Sequence, residues 1–325
     1  MKQQDHNECP VIVCAADNNY VMALVVMLRS LAVTLRRYPV ARVWVLDGGI
    51  SRRNRRRVLQ SLPSGVLNIS WVKPSHALLR NMPLSEHLTI CTYYRLLIGD
   101  ILPPEISKAL YLDVDMIVLG DIGELWDVPM DGETPLACTN WGVKASMMYG
   151  HDLCQDIGLP PELAYFNAGV LMIDCTLWRE QKRFEQAVRF VRMFGDRIRF
   201  HDQDILNGIL AGSWAHLEEK WNYRVDQTWS GDVSQLVAGN VSVGIMHFAS
   251  SVKPWQYGVN HPASPVFFYW LDQTAWKGWR PRNPLIDWNK VMGTLFNKHW
   301  YGGFIRKTPV VGRLWAQVAE WRKSL

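Results

Sequence analysis

The 325-residue sequence has no C-x-x-C pair among its six cysteines and no G-x-G-x-x-G turn. It also has no run of 18 apolar residues, no internal repeat and no low-complexity tract. Each absence removes a class of protein. Without paired spacing, Cys9, Cys14, Cys91, Cys138, Cys154 and Cys175 read as buried free thiols of a reducing compartment, not as a disulfide framework or zinc site. Apolar runs short of about 18 residues exclude a transmembrane helix. The run from Val21 to Leu28 stops at Arg29, with no basic flank before it and no cleavage site after it, so no secretory leader is read and the cytoplasm is predicted. The missing G-x-G-x-x-G counts against a dinucleotide dehydrogenase. The lack of a Gly-rich, lysine-bearing loop near the N-terminus counts against a nucleotidyltransferase that makes sugar nucleotides. With 48% hydrophobic residues and no repeats, the chain can bury a large core in one domain plus an appendage.

Charge is unevenly spread. From Arg280 onward nine Lys/Arg face Asp287 and Glu320, a surplus of seven; the formal net charge of +5 therefore leaves about −2 on the rest. A basic tail on a nearly neutral body argues against nucleic-acid binding and for a tail that meets an anionic surface. Val311, Leu314, Trp315, Val318 and Trp321 share one face if the final segment is helical. Such a helix suits a membrane interface or packing on the main domain. The run Arg52-Arg53-Asn54-Arg55-Arg56-Arg57 reads as the solvated face of a surface helix, with contact to a phosphorylated acceptor the lesser alternative.

Along the chain, short Val/Ile-rich runs alternate with helical patterns. Pro10 to Ala15, Ala41 to Leu46 and Val66 to Val72 read as strands. Val21 to Leu35 reads as a helix, and Ser51 as the cap of the Arg-rich helix. Ala109 to Leu112 runs through Asp113-Val114-Asp115 into Met116 to Leu119, and Phe166 to Ile173 and Val241 to Met246 are further strands. This alternation predicts an α/β fold with a mostly parallel central sheet covered on both faces and a ligand at the carboxyl ends of its strands. After about Pro265 the sequence becomes Trp-rich, Pro-punctuated and basic, so the expected domains are 1–265 and a C-terminal helical segment, 266–325.

Two aspartates in mid-strand are unusual, because strands disfavour Asp and a buried charge needs compensation. At positions i and i+2, Asp113 and Asp115 would aim two carboxylates to one side, which suits a divalent cation shared with a ligand's phosphates. The plain alternative is a strand end with two solvated carboxylates. His247 is the candidate third ligand, and an imidazole beside carboxylates favours manganese over magnesium. Lys253, in His247-Phe248-Ala249-Ser250-Ser251-Val252-Lys253-Pro254-Trp255, is placed to neutralise a diphosphate. Taken alone, His247 reads more simply as a histidine at a strand end, and Trp255 as packing.

Seven segments in order carry a family resemblance: Ala15 to Tyr20, Val45 to Ser51, Thr92 to Leu96, Tyr111 to Asp115, Tyr165 to Leu171, Asp202 to Gly208, and His247 to Trp255. Over roughly residues 11–255 the chain resembles glycosyltransferase family 8, in particular its bacterial lipooligosaccharide galactosyl- and glucosyltransferases. The resemblance implies a GT-A type nucleotide-sugar-binding domain, a UDP-hexose donor, a saccharide or glycolipid acceptor, and Mn2+ or Mg2+. It implies that Ala15, Asp17, Asn19 and Tyr20 hold uracil and ribose, and that Asp113, Asp115 and His247 ligate the metal. Thr92, Arg95, Val114 and, upstream, His87 would line the nucleotide-sugar pocket. Asn167, Ala168, Asp202 and Gln203 would surround the hexose, with Gln203 and Asp202 the catalytic candidates. Ser250 stands where the family motif usually has glycine, between His247 and Lys253; its backbone N–H can still serve a phosphate if its φ is not one reserved for glycine.

The resemblance further implies retention and an α-linked product. A covalent route calls for a carboxylate at the anomeric carbon, which makes Asp202 the available group. Same-face substitution, with the leaving phosphate taking the acceptor proton and Gln203 stabilising the positive carbon, is the preferred route. Asp202 and Asp204 have the plain alternative of capping the following helix. The competing functions are a glycogenin-like self-glucosylating protein and a non-catalytic carbohydrate-binding protein. Acceptor contacts are expected in loops such as Thr139 to Leu159, and the enzyme is expected in the cytoplasm or peripheral on the cytoplasmic face of the inner membrane.

Overall fold

The computed structural model describes residues 9–80, 82–83, 89–130, 135–226, 228–231, 235 and 242–282. His87 and the helix expected at 311–321 lie outside these residues.

The Val/Ile run after Pro10 is strand β1 (Val11–Ala16), buried along its whole length. After the loop at Asp17 comes helix α1 (Val21–Thr34), eleven of whose residues are buried. A helix apolar on all sides must be covered on all sides. α1 packs against strand β5 (Met116–Val118) and against the helix Ser264–Leu271. β2 (Ala41–Asp47) and β3 (Leu67–Val72) follow, separated by α2 (Arg52–Gln60). As expected, Ser51 caps α2 by accepting the Asn54 N–H at 3.2 Å.

The main sheet adds β4 (Lys108–Leu112), β6 (Leu136–Lys144), β7 (Ala164–Asp174) and β8 (Ala215–His216), in the order β3-β2-β1-β4-β7-β6-β8. β7 alone in this sheet runs antiparallel to its neighbours, so the sheet is mostly parallel, as read from the sequence. A second sheet has the order β5-β10-β9, with β9 at Tyr223–Arg224 and β10 at Ile245–His247.

The structure changes the reading of the two aspartates. β4 belongs to the large sheet and β5 to the small one, and Asp113-Val114-Asp115 is the link between them. The physical reason is that two carboxylates are poorly accommodated in a buried ladder. The stretch Thr139 to Leu159, expected as a loop, is the end of β6 followed by helices Ala145–Tyr149 and His151–Ile157.

Residues 260–279 belong to the same compact unit as the strands, so the sequence change near Pro265 falls at a helix of the main body. Residues 255–259 and 280–282 belong to a second unit. All six cysteines are free and all but Cys9 are buried. Among the described residues no helix is long and apolar enough to cross a membrane.

Ser30 joins α1 to the small sheet: its buried Oγ donates to the Met27 carbonyl and accepts the Val118 N–H, both at 2.9 Å. Ser30→Ala leaves that amide without its acceptor, and the expected cost is about 1–3 kcal/mol of unfolding free energy. Urea unfolding followed by tryptophan fluorescence measures it; a loss below about 0.5 kcal/mol, the scale of an ordinary surface change, would show that the amide gains little from Ser30.

Candidate active site

β1, β2 and β4 run in one direction, so the loops after them meet at one edge of the sheet. Ala15 and Ala16 end β1 beside Leu46 and Asp47 of β2. Asp17 folds the first loop by accepting the N–H groups of Asn19 (2.8 Å) and Tyr20 (3.1 Å) at Oδ1. Asn18 Oδ1 ties this loop to the next by accepting from the Ser51 N–H and the Asn54 side chain. Gly48 is required by space, because a Cβ there would lie 2.1 Å from the Cys91 sulfur. Burial pushes the Tyr20 phenol above its usual value, while Lys253, Asp115, Asp17 and Asp113 all act on it electrostatically. The loop after β1 and the carboxylate pair therefore share one neighbourhood.

Strand register assembles that pair with His247. β4 pairs with β7 through Leu112 and Val170, and the Asp113 N–H then donates to the Gly169 carbonyl at 2.8 Å. β5 pairs with β10 through Met116 and His247, and the Phe248 N–H donates to the Asp115 carbonyl at 3.0 Å. His247 Nε2 stands 3.4 Å from Asp115 Oδ1 and 3.9 Å from Asp113 Oδ2. Nδ1 is 2.8 Å from Asn222 Oδ1, which assigns the proton to Nδ1 and leaves the Nε2 lone pair facing the carboxylates.

Asp113, Asp115 and His247 offer ligand atoms all within 4.8 Å of one another. Adjacent oxygens round a small octahedral cation at about 2.0–2.1 Å are roughly 3 Å apart, so these atoms fit one ion with small adjustments. Space favours it too: a Cβ on Gly169 would sit 2.5 Å from His247 Cε1 and 3.0 Å from Asp113 Oδ2. Two carboxylates with an imidazole suit Mn2+, and Mg2+ less well.

Arg95 is the buried counter-charge. Its guanidinium meets Asp113 Oδ1 at 2.6 Å, Asp202 Oδ2 at 2.9 Å and the Ala168 carbonyl at 2.5 Å, and it lies over the Tyr111 ring. Burial works against its charge, but Asp113 and Asp202 outweigh it and hold Arg95 above its ordinary value. Thr92 donates to Asp202 Oδ1 at 2.7 Å. Lys253 Nζ meets Asp115 Oδ2 at 2.5 Å and the Phe248 carbonyl at 2.6 Å. Burial disfavours ionised Asp115, yet Lys253 holds it well below the carboxylate range. At Asp113 burial prevails over Arg95 and the carboxyl is raised. Counted as ionised, Asp113, Asp115 and Asp202 set three negative charges against the two positive charges of Arg95 and Lys253, a balance that suits a further cation.

On the far side, Gln203 Oε1 accepts from Asn167 Nδ2 at 2.9 Å and from the Ala168 N–H at 3.2 Å. Val114 is buried within the β4–β5 link. Among the described residues the non-glycines at positive φ are Lys182 and His201, so Ser250 occupies ordinary backbone and its replacement of glycine costs no strain. Asp204 does not cap from the position before its helix. It sits inside His201–Ile209 and reaches back to the N–H groups of Arg199 and Phe200, both at 2.8 Å. Asp202 is not a cap either, being committed to Arg95 and Thr92.

Sequence reasoning passed over Asn222 and His201. His201 opens the helix that carries Asp202 and Gln203 at φ 48°, a left-handed conformation uncommon for histidine, with Nδ1 3.1 Å from the Tyr93 hydroxyl. Neither residue lies in a periodic pattern, and no local signal marks Asn222.

Comparison with known proteins gives the family. The family model described as glycosyl transferase family 8 matches residues 11–258. General stress protein A of Bacillus subtilis is 29% identical over 276 residues, covering 82% of this chain and 94% of that protein. Lipopolysaccharide 1,2-glucosyltransferase of Escherichia coli is 24% identical, covering 91% of this chain and 88% of the relative. Among solved structures, the galactosyltransferase LgtC in complex with donor and acceptor sugar analogues superimposes with a TM-score of 0.69 at 28% identity, over 82% of this chain and 96% of that one.

Gly169→Ala tests the cradle. The added methyl must displace His247 or Asp113, so Mn2+ affinity is expected to fall by about 10-fold or more, within the range seen when the surroundings of metal ligands are disturbed. Titration of free Mn2+ by electron paramagnetic resonance reads the affinity and circular dichroism checks the fold. Unchanged affinity would place the ion elsewhere.

Proposed function

The chain belongs to glycosyl transferase family 8, and on the site it carries we propose that it is a metal-dependent, retaining hexosyltransferase. It moves glucose or galactose from a UDP-sugar to a saccharide acceptor, the core of a lipopolysaccharide or lipooligosaccharide or another glycolipid, and forms an α-linkage. The observation that carries this reading is the convergence of Asp113, Asp115 and His247 at the edge where the loops after β1, β2 and β4 meet. The similarity to a lipopolysaccharide glucosyltransferase and to a galactosyltransferase supports the donor and acceptor classes.

In this reading the loop from Ala15 to Tyr20 holds uracil and ribose, and Thr92, Arg95 and Val114 line the nucleotide-sugar pocket. Asp113, Asp115 and His247 hold Mn2+ or Mg2+, which when bound supplies Lewis-acid stabilisation of the leaving diphosphate. Lys253 adds a fixed positive charge beside Asp115, and the Ser250 backbone is available to phosphate. Arg95 keeps Asp113 and Asp202 in place without reaching solvent. Asn167, Ala168, Asp202 and Gln203 surround the hexose, and the Gln203 carbonyl dipole faces the carbon that becomes positive. Departing phosphate takes the acceptor proton on the same face. A cavity of about 600 Å³ lined by Thr139, Glu219, Asn222, Tyr223, Arg224 and Trp229 opens next to Asn222, the partner of His247. Its aromatic and charged walls suit a saccharide, and we assign the acceptor to it.

UDP release from a panel of UDP-sugars, with and without Mn2+, tests the function. Wild type is expected to hydrolyse one UDP-hexose slowly and only with metal, Asp113→Asn/Asp115→Asn to lose turnover, and Gln203→Ala to lose about 10²-fold or more in kcat, the scale of removing a preorganised dipole. No turnover or binding with any UDP-sugar would mean that the fold persists without the activity.

The reading places the enzyme in the cytoplasm, peripheral on the inner membrane through its basic C-terminal segment. Sedimentation with anionic vesicles checks this: truncation after Pro281 is expected to abolish it, and equal sedimentation of both forms would sink the idea.

A further inference from the structure

The polar groups between His247 and Gln203 form one directed chain. The His247 Nδ1–H donates to Asn222 Oδ1 (2.8 Å), and Asn222 Nδ2 donates to Asn167 Oδ1 (2.8 Å). Asn167 Nδ2 then donates to Gln203 Oε1 (2.9 Å), and Gln203 Nε2 approaches the Tyr165 hydroxyl (3.4 Å). Tyr165 in turn donates to Asp204 Oδ1 (2.6 Å). The direction is imposed from outside. A carboxylate at the Asp204 end can only accept. Backbone N–H groups fix the amides between: Gly169 donates to Asn167 Oδ1 (3.1 Å) and Ala168 to Gln203 Oε1 (3.2 Å). With Asn167 held oxygen-first, Asn222 must present its NH2 to Asn167 and its oxygen to the imidazole.

Asn222 is buried at 1% exposure, at the end of a short turn leading into β9, and the parallel pairing of β9 with β10 sets it beside His247. A buried amide so placed has a definite consequence. It holds the proton on Nδ1, aims the Nε2 lone pair at the carboxylates, and transmits that orientation to the Gln203 carbonyl two hydrogen bonds away.

We infer that Asn222 is a positioning residue that couples the metal ligand His247 to Gln203 through Asn167. The inference rests on the metal-dependent reading above. Its two functions are separable by substitution. Asn222→Ala removes both the acceptor for the imidazole and the donor to Asn167. Asn222→Asp keeps an acceptor for Nδ1–H but turns a second acceptor toward Asn167 Oδ1, so the link to Gln203 breaks while the imidazole stays oriented.

The test uses the full chain stripped of metal, with Mn2+ affinity read by electron paramagnetic resonance and kcat and KM read from UDP release. Asn222→Ala is expected to weaken Mn2+ binding by about 10- to 100-fold, the usual effect of losing the partner of a ligating histidine. Asn222→Asp is expected to bind Mn2+ within about threefold of wild type, yet to lose about 10-fold or more in kcat at nearly constant donor KM. Because Asn222→Asp decides the matter, poor folding of the alanine variant leaves the inference testable. It is overturned if Asn222→Asp turns over like wild type or loses the metal. Wild-type binding of Mn2+ with unchanged binding by Asn222→Ala overturns the coupling alone; wild type that binds no Mn2+ overturns the metal reading and the coupling with it.

Discussion

The placement of the Arg95 guanidinium between Asp113 and Asp202 is the constraint from which the rest of the site follows. Three carboxylates in a largely buried space repel one another and lose hydration, and neither cost is tolerable without cations of fixed position. Arg95 is suited to this because its planar fork reaches two carboxylates and a backbone carbonyl at once while its face rests on Tyr111. Lys253 serves Asp115 from the other side. Arg95 takes Asp113 Oδ1 and Lys253 takes Asp115 Oδ2, while Asp113 Oδ2 and Asp115 Oδ1 face His247 Nε2, so that side of the carboxylates suits an ion.

Topology supplies the geometry that sequence spacing alone does not. The chain leaves the large sheet at Leu112 and enters the small one at Met116, and the two aspartates occupy the crossing. Each sheet contributes one partner: β7 brings Gly169 to Asp113, while β10 brings His247 to Asp115. A displacement of either sheet by one register would separate the imidazole from the carboxylates, because neighbouring residues of a strand point to opposite faces. The close approach at Gly169 locks this arrangement, since any larger residue there would meet His247.

How much was legible in the sequence follows from the same physics. β1, β2, α1 and the Ser51 cap were readable because buried apolar runs and a capping serine are local signals. The aspartates, His247 and Lys253 were found as types of chemistry at plausible strand ends, and the family resemblance set them in company. The break at Asp113 was not foreseen, because apolar residues flank it on both sides and a continuous strand fits that pattern equally well. The inward reach of Asp204 was missed because a carboxylate can satisfy a helix N-terminus from within the first turns as well as from before it. Asn222 was invisible for a deeper reason: its partners lie 25 and 55 residues away in sequence, and nothing local distinguishes it from a surface asparagine.

Under the proposed function, the hydrogen bonds around Gln203 and Asp202 bear on how configuration would be retained. A double displacement needs an oxygen free to form a bond to the anomeric carbon. Asp202 has one oxygen on Arg95 and the other on Thr92, and Gln203 Oε1 already accepts from Asn167 and Ala168. To attack, Gln203 must surrender a buried hydrogen bond, costing about 1–3 kcal/mol, and its amide oxygen is a weak nucleophile besides, while Asp202 would give up the charge that pairs with Arg95. To stabilise a passing positive charge, neither needs to surrender anything. The two donors that weaken Gln203 as a nucleophile are the ones that hold its carbonyl dipole still, and a dipole that need not reorganise is most effective against a charge that exists only in the transition state. The same contacts thus argue against a glycosyl-enzyme at these residues and for substitution on one face.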